Sequence, residues 1–141
     1  MKRGFVALLL LSVVWTASAA SYEHAIRTSY QEDGSELNWY VSDDQFMRTP
    51  EWKFDGKSSP PFPMGEAYQR AKAWLNKSFP KMSSFKLREY SVSSAGSSRA
   101  PNRWYYTFDF MGDLDGSIVT NSRFSVMVLM DGTVIEPKSK K

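Results

Sequence analysis

Apolar and polar positions along this chain change period several times, and each change marks an element. Between Met64 and Ser78, Ala67, Ala71, Trp74, Leu75 and Ser78 recur at i, i+4, i+7, i+8 and i+11. That spacing puts one apolar stripe on a single helical face. Pro63 precedes the segment and Phe79-Pro80 ends it, so a helix over 64–78 is predicted. Further on the period falls to two. Trp104, Tyr106, Phe108 and Phe110 alternate with Arg103, Tyr105, Thr107 and Asp109, which predicts a half-buried antiparallel strand. Phe124, Val126, Val128 and Met130 share one face of another strand, with Ser125, Met127 and Leu129 opposite. Asp131-Gly132 is a hairpin signal leading into Thr133-Val134-Ile135. Phe85 to Ser93 changes parity midway: Phe85 and Leu87 fall on one phase, Tyr90 and Val92 on the other. A bulge or a twisted edge is expected there.

The amino-terminal half is less regular. Tyr22 to Tyr30 is ambiguous between strand and short helix, and 31–36 is a polar turn. Leu37 to Val41 reads as a strand by its aromatic and β-branched content. Ser42-Asp43-Asp44-Gln45 fits a capping box for one or two helical turns before Pro50. Residues 51–63 form a Pro-, Gly- and Ser-rich loop carrying Trp52 and Phe54.

The fold class expected is α+β: one main helix packed on an antiparallel β-meander of about four strands, with an N-terminal hairpin or short-helix extension. The boundaries read as 20–63 for the extension and loop, 64–137 for the helix-plus-sheet domain, and 138–141 for a solvated basic tail.

The extreme amino terminus predicts export. Lys2 and Arg3 precede an apolar run from Phe5 to Val14, and Ala17-Ser18-Ala19 offers a cleavage site. This is the order of a secretory signal peptide over 1–19. The run is about half of the roughly 20 residues that span hydrocarbon. Of 18 basic residues Lys2 and Arg3 leave with the leader, so 16 basic face 15 acidic in the remainder. A nucleic-acid binder would show a basic stripe, and none is visible. With no cysteine in the chain, disulfides, thiolate metal sites and a lipid-modified cysteine are excluded. An exported domain without disulfides points to the bacterial periplasm or its surroundings.

The helix Ala67-x3-Ala71-x2-Trp74-Leu75, the strand Trp104-Tyr105-Tyr106-Thr107-Phe108 and the ending Val126 to Ile135 carry a partial resemblance, over about 66–137, to small secreted PepSY-like and cystatin-like domains. The resemblance implies a helix on an antiparallel sheet, and roles in binding or inhibiting proteases or as envelope modules. The Gln-x-Val-x-Gly loop of cystatins is absent from this sequence.

Catalytic signals are few. His24 is the only histidine, so a Ser-His-Asp hydrolase would depend on it, and there is no Gly-x-Ser-x-Gly elbow. A pocket gathering His24 with a Ser and an Asp is what an enzyme would require. Asp43 and Asp44 read as helix-capping acids, and Asp113-Leu114-Asp115-Gly116-Ser117 as a turn rather than a calcium loop. No catalytic, metal or cofactor residues are assigned. Trp39, Tyr40, Trp52 and Phe54 are the candidate ligand or partner contacts, since aromatic faces stack on sugars or receive a partner's side chains; the alternative is that they seal the amino-terminal segment onto the sheet, as large aromatics are mostly buried. The expected function is a non-enzymatic protein- or peptide-binding module of the envelope. The alternative is a carbohydrate-binding or wall-associated module using those aromatics. An open hydrophobic strand edge favours the first, and exposed coplanar Trp39 and Trp52 the second.

Overall fold

The computed structural model describes residues 23–30 and 34–140; the signal peptide expected over 1–19 lies outside the described residues. Among the described residues seven strands and two helices follow in chain order: β1 (Glu23–Tyr30), β2 (Glu36–Ser42), α1 (Asp43–Arg48), α2 (Met64–Ser78), β3 (Ser84–Ser94), β4 (Trp104–Leu114), β5 (Ser117–Leu129), β6 (Val134–Ile135) and β7 (Lys138–Lys140). All strand pairings are antiparallel, in a three-stranded sheet β1-β2-β7 and a four-stranded sheet β3-β4-β5-β6. The class is α+β, dominated by its sheets, with α2 as the main helix.

The middle strands β4 and β5 of sheet β3-β4-β5-β6 are covered on both faces. On one side Ala67, Ala71 and Leu75 of α2 pack against Tyr106, Phe108 and Phe110 of β4 and Phe124, Val126 and Val128 of β5. On the other side Trp39 and Val41 of β2 and Phe46 of α1 pack against Tyr105, Met127, Leu129 and Ile135. The alternation in β4 predicts one buried face, yet Tyr105 and Thr107 on the second face are buried too. The reason is the β1-β2-β7 sheet, which shields that face from water.

A second difference lies at the carboxyl end. Lys138–Lys140, expected as a solvated tail, pairs with Glu36–Asn38 and becomes the third strand of the small sheet. Lys138 Nζ also reaches Glu23 of β1 at 3.1 Å. Backbone pairing needs no apolar side chain, so a Lys-Ser-Lys strand carries no hydrophobic signal.

Local chemistry explains the turns. Ser42 accepts from the Gln45 N–H at 3.1 Å while Gln45 Oε1 accepts from the Ser42 N–H at 3.0 Å, closing the capping box of α1. Between β4 and β5 only Asp115 and Gly116 intervene, both at positive φ (51° and 84°). A two-residue loop with both residues left-handed is the turn whose twist matches antiparallel strands. Asp113 Oδ1 accepts from the Gly116 N–H at 2.7 Å, so that carboxylate serves the turn.

Gly112 sets a tight contact. A Cβ there would stand 2.6 Å from Cε2 of Phe124, whose ring is held edge-on by Phe79 and Phe85 at 5.0 and 5.2 Å between centroids. Gly112→Ala is expected to destabilise by about 1–3 kcal/mol, as overpacking a filled core does. Gly65, in the first turn of α2, has open space instead. Gly65→Ala should stabilise by about 0.5–1 kcal/mol through helix propensity and reduced unfolded-state entropy. Urea midpoints moving in opposite directions would bear this out; midpoints moving together would contradict it.

Candidate functional site

Two features of the surface merit a functional reading, a polar pocket beside α1 and the open edge of β3. The pocket, about 400 Å³, is lined by His24, Asp43, Gly96, Ser97, Ser98 and Arg99. Its residues come from three places: β1 brings His24, the first turn of α1 brings Asp43, and the loop after β3 brings the rest. The loop reaches this position because Ala95 and Ala100 sink into the cluster around Trp39 and Phe46.

Asp43 Oδ1 is the hub. It accepts from Ser97 Oγ at 2.7 Å and lies 3.1 Å from His24 Nε2. A carboxylate can only accept, so Nε2 carries the proton. The hydroxyl of Ser97, and then the nearby His24 and Arg99, hold the Asp43 carboxyl below its ordinary value of 3.8, against the opposing effect of burial. All three residue types of a hydrolytic triad therefore meet, but in a different order. In a triad the imidazole stands between the hydroxyl and the carboxylate, so that it can take the hydroxyl proton. Here the carboxylate stands between them, and the Ser97 proton points at Asp43. The geometry describes a latch joining β1, α1 and the 95–99 loop.

A second carboxylate, Asp55, organises the loop after Trp52. Its Oδ1 accepts from the Ser58 and Lys57 N–H groups at 2.7 and 2.8 Å and from Ser58 Oγ at 2.8 Å. These donors lower its pKa to about 2. Because both folded-state values lie below the unfolded value, the order these carboxylates confer is complete above about pH 4. It is lost as pH falls through the folded-state pKa. Carboxyl-carbon NMR titration should place the Asp55 midpoint near 2 and the Asp43 midpoint below 3.8. A midpoint for Asp43 at or above 3.8 would contradict the latch.

The aromatic candidates do not converge. Trp39 is 1% exposed and belongs to the cluster between the sheets. Trp52 is buried with the α2 cluster, its indole N–H donating to Ser58 Oγ and its carbonyl accepting from Trp104 Nε1 at 2.8 Å. Neither offers a flat face to a sugar. Tyr40 is half-buried under the Lys138 ammonium, 5.3 Å from its ring centroid. Only Phe54 projects, 63% exposed, and its ring meets Trp52 and Trp104 at 5.3 and 6.1 Å. Of the two readings open for Trp39 and Trp52, their burial agrees with the packing one: their ring faces are spent on the core.

The edge of β3 was foreshadowed by its parity change. Pairing with β4 shifts register between Leu87 and Glu89, which brings Phe85, Leu87, Tyr90 and Val92 onto the α2 side. Phe85 is buried there, Tyr90 stacks on Phe108 at 6.3 Å, and Val92 packs on the same cluster. Yet α2 lies towards β4 and β5, leaving Leu87 and Tyr90 37% and 50% exposed. Among the described residues no strand pairs the outer side of β3. Nor does any group of three His, Cys, Asp or Glu side chains gather as a metal site among them, and no helix among them is long and apolar enough to cross a membrane.

Compared with family models, curated proteins and solved structures, the chain gives no match.

Proposed function

We propose that this protein is an exported, non-enzymatic module of the cell envelope that binds a protein or peptide by strand addition along β3. The observation that carries the reading is an eleven-residue edge strand with Leu87 and Tyr90 uncovered beside its unpaired backbone. Unpaired N–H and C=O groups on a long edge template a further strand. Side chains on alternate positions then supply selectivity. The export signal over 1–19 and the resemblance to PepSY-like and cystatin-like domains support a place in the periplasm or outside the cell. The sugar-binding alternative loses its platform once Trp39 and Trp52 are counted as core.

Leu87→Lys with Tyr90→Lys tests the reading. Leu87 and Tyr90 are 37% and 50% exposed and the long lysine stems can cover the same surface, so the double variant should stay folded, which its thermal unfolding checks first. Lysines on the edge should oppose docking. Immobilised wild-type domain should retain envelope protein that the double variant loses by at least about ten-fold. Equal retention by two folded proteins would contradict the proposal.

A further inference from the structure

The sequence of β3 is self-complementary about the bond between Arg88 and Glu89. From this we infer that the strand added to β3 is the β3 of a second copy of this chain, in one antiparallel register. The inference rests on the reading of β3 as a docking edge and names its occupant.

A two-fold axis between residues 88 and 89 sets Arg88 opposite Glu89 of the second copy, and by symmetry does so twice. It sets Leu87 opposite Tyr90, and Phe85 opposite Val92, each also twice. Directly opposed residues of an antiparallel pair lie on the same face with Cβ atoms about 5 Å apart. The register shift at 87–89 is what makes this consistent. It places Leu87 and Tyr90 on the same, α2-facing side although they differ in parity. Without the shift the two apolar residues would face opposite ways. Lys86 falls opposite Ser91 and diagonal to Glu89 of the second copy, so each Glu89 is flanked by two cations.

Neighbouring registers fail on the same residues. Moving the axis onto Glu89 opposes Glu89 to Glu89, and moving it onto Arg88 opposes Arg88 to Arg88. Like charges directly opposed across a sheet repel. A bulge and charges on an edge ordinarily discourage pairing, and here they leave one arrangement in which Arg88 and Glu89 each meet the opposite charge directly. That arrangement also covers Leu87 and Tyr90, two of the exposed large apolar side chains. The result is a closed, isologous dimer with a continuous eight-stranded sheet, the four strands of each copy taken together.

The competing occupant is an acidic strand from another protein. Residues 64–94 carry six basic against two acidic side chains, a balance that would attract one. The two occupants separate in a charge-swap experiment on the domain over 20–141, read by light scattering and sedimentation over micromolar to millimolar concentrations. The wild type should show a concentration-dependent dimer. Arg88→Glu and Glu89→Arg, each placing two like-charge pairs at the axis, should weaken it by at least about ten-fold. The double variant R88E/E89R should restore it to within about three-fold of the wild type. Since the chain has no cysteine, Leu87→Cys with Tyr90→Cys supplies a geometric check. Oxidation should give a covalent dimer, because these two positions approach disulfide distance only between copies.

A monomer at every concentration overturns the inference. So does a dimer indifferent to the single charge reversals, or a monomer that binds a poly-glutamate peptide through β3. Edge-dependent retention of envelope protein, measured separately with the Leu87→Lys, Tyr90→Lys variant, would in each case leave the docking-edge reading standing. Loss of both results would remove that reading as well.

Discussion

Phe108→Ala is expected to lower the unfolding free energy by about 3–5 kcal/mol, as truncating a buried phenylalanine does. Phe108 is fully buried at the centre of β4. Its ring meets Tyr106 at 5.8 Å, Tyr68 of α2 at 6.1 Å, and Tyr90 and Phe110 at 6.3 Å. Removing it takes away transfer free energy and leaves a cavity walled by rings that are held by other rings, so collapse is limited. For a domain whose total stability is of the order of 5–15 kcal/mol, the change is a large share. Ile118→Ala, 52% exposed on β5, is the control and should stay within about 0.5 kcal/mol. Chemical denaturation of both variants decides it; equal small losses would mean that α2 does not pack on β4 as described.

Asp109→Ala is expected to loosen the small sheet from the large one. Arg27 of β1 donates through Nη2 to both carboxylate oxygens of Asp109 at 3.1 Å, and Ser125 of β5 donates to Oδ1 as well. Both ionic side chains are about a quarter exposed. The cost therefore falls between the roughly 0–1 kcal/mol of a surface pair and the 3–5 kcal/mol of breaking a buried one, at about 2 kcal/mol. Without the carboxylate, the Arg27 guanidinium and the buried Ser125 hydroxyl both lose their acceptor. Asp109→Asn keeps an acceptor for Ser125 and should recover about half of the loss. Amide exchange adds a spatial signature: β1 and β2 should open faster in Asp109→Ala while β4 and β5 change little. Uniform acceleration would indicate that the pair supports the whole molecule.

What could be read from sequence follows where side-chain pattern alone dictates structure. The bounds of α2 were legible because an alanine-rich stripe lies between Pro63 and Pro80. The bulge in β3 was legible because Leu87 and Tyr90 differ in parity yet are both apolar. The second covered face of β4 was not. Tyr105 and Thr107 suit water as well as a core, and only the β1-β2-β7 sheet decides between them. Strand β7 has no apolar residue to announce it. The hub at Asp43 was hidden for a different reason. Its partners His24 and Ser97 lie 19 and 54 residues away, and neither carries a motif; only the descent of Ala95 and Ala100 into the core brings the loop across. For Trp39 and Trp52 the sequence leaves exposure and burial both open, because an aromatic outside the main periodic pattern suits either; a second sheet and a pinned loop give each a core of its own.

Residue-resolved amide exchange along β3 tests the central claim most directly. In the dilute domain, amides of β3 that do not donate to β4 should exchange far faster than those that do, since an edge strand shows every other N–H to water. In the assembled state those same fast amides should slow by at least about ten-fold, while β5 is unchanged. Uniform protection of β3 in the dilute domain, or no slowing on assembly, would contradict a docking edge.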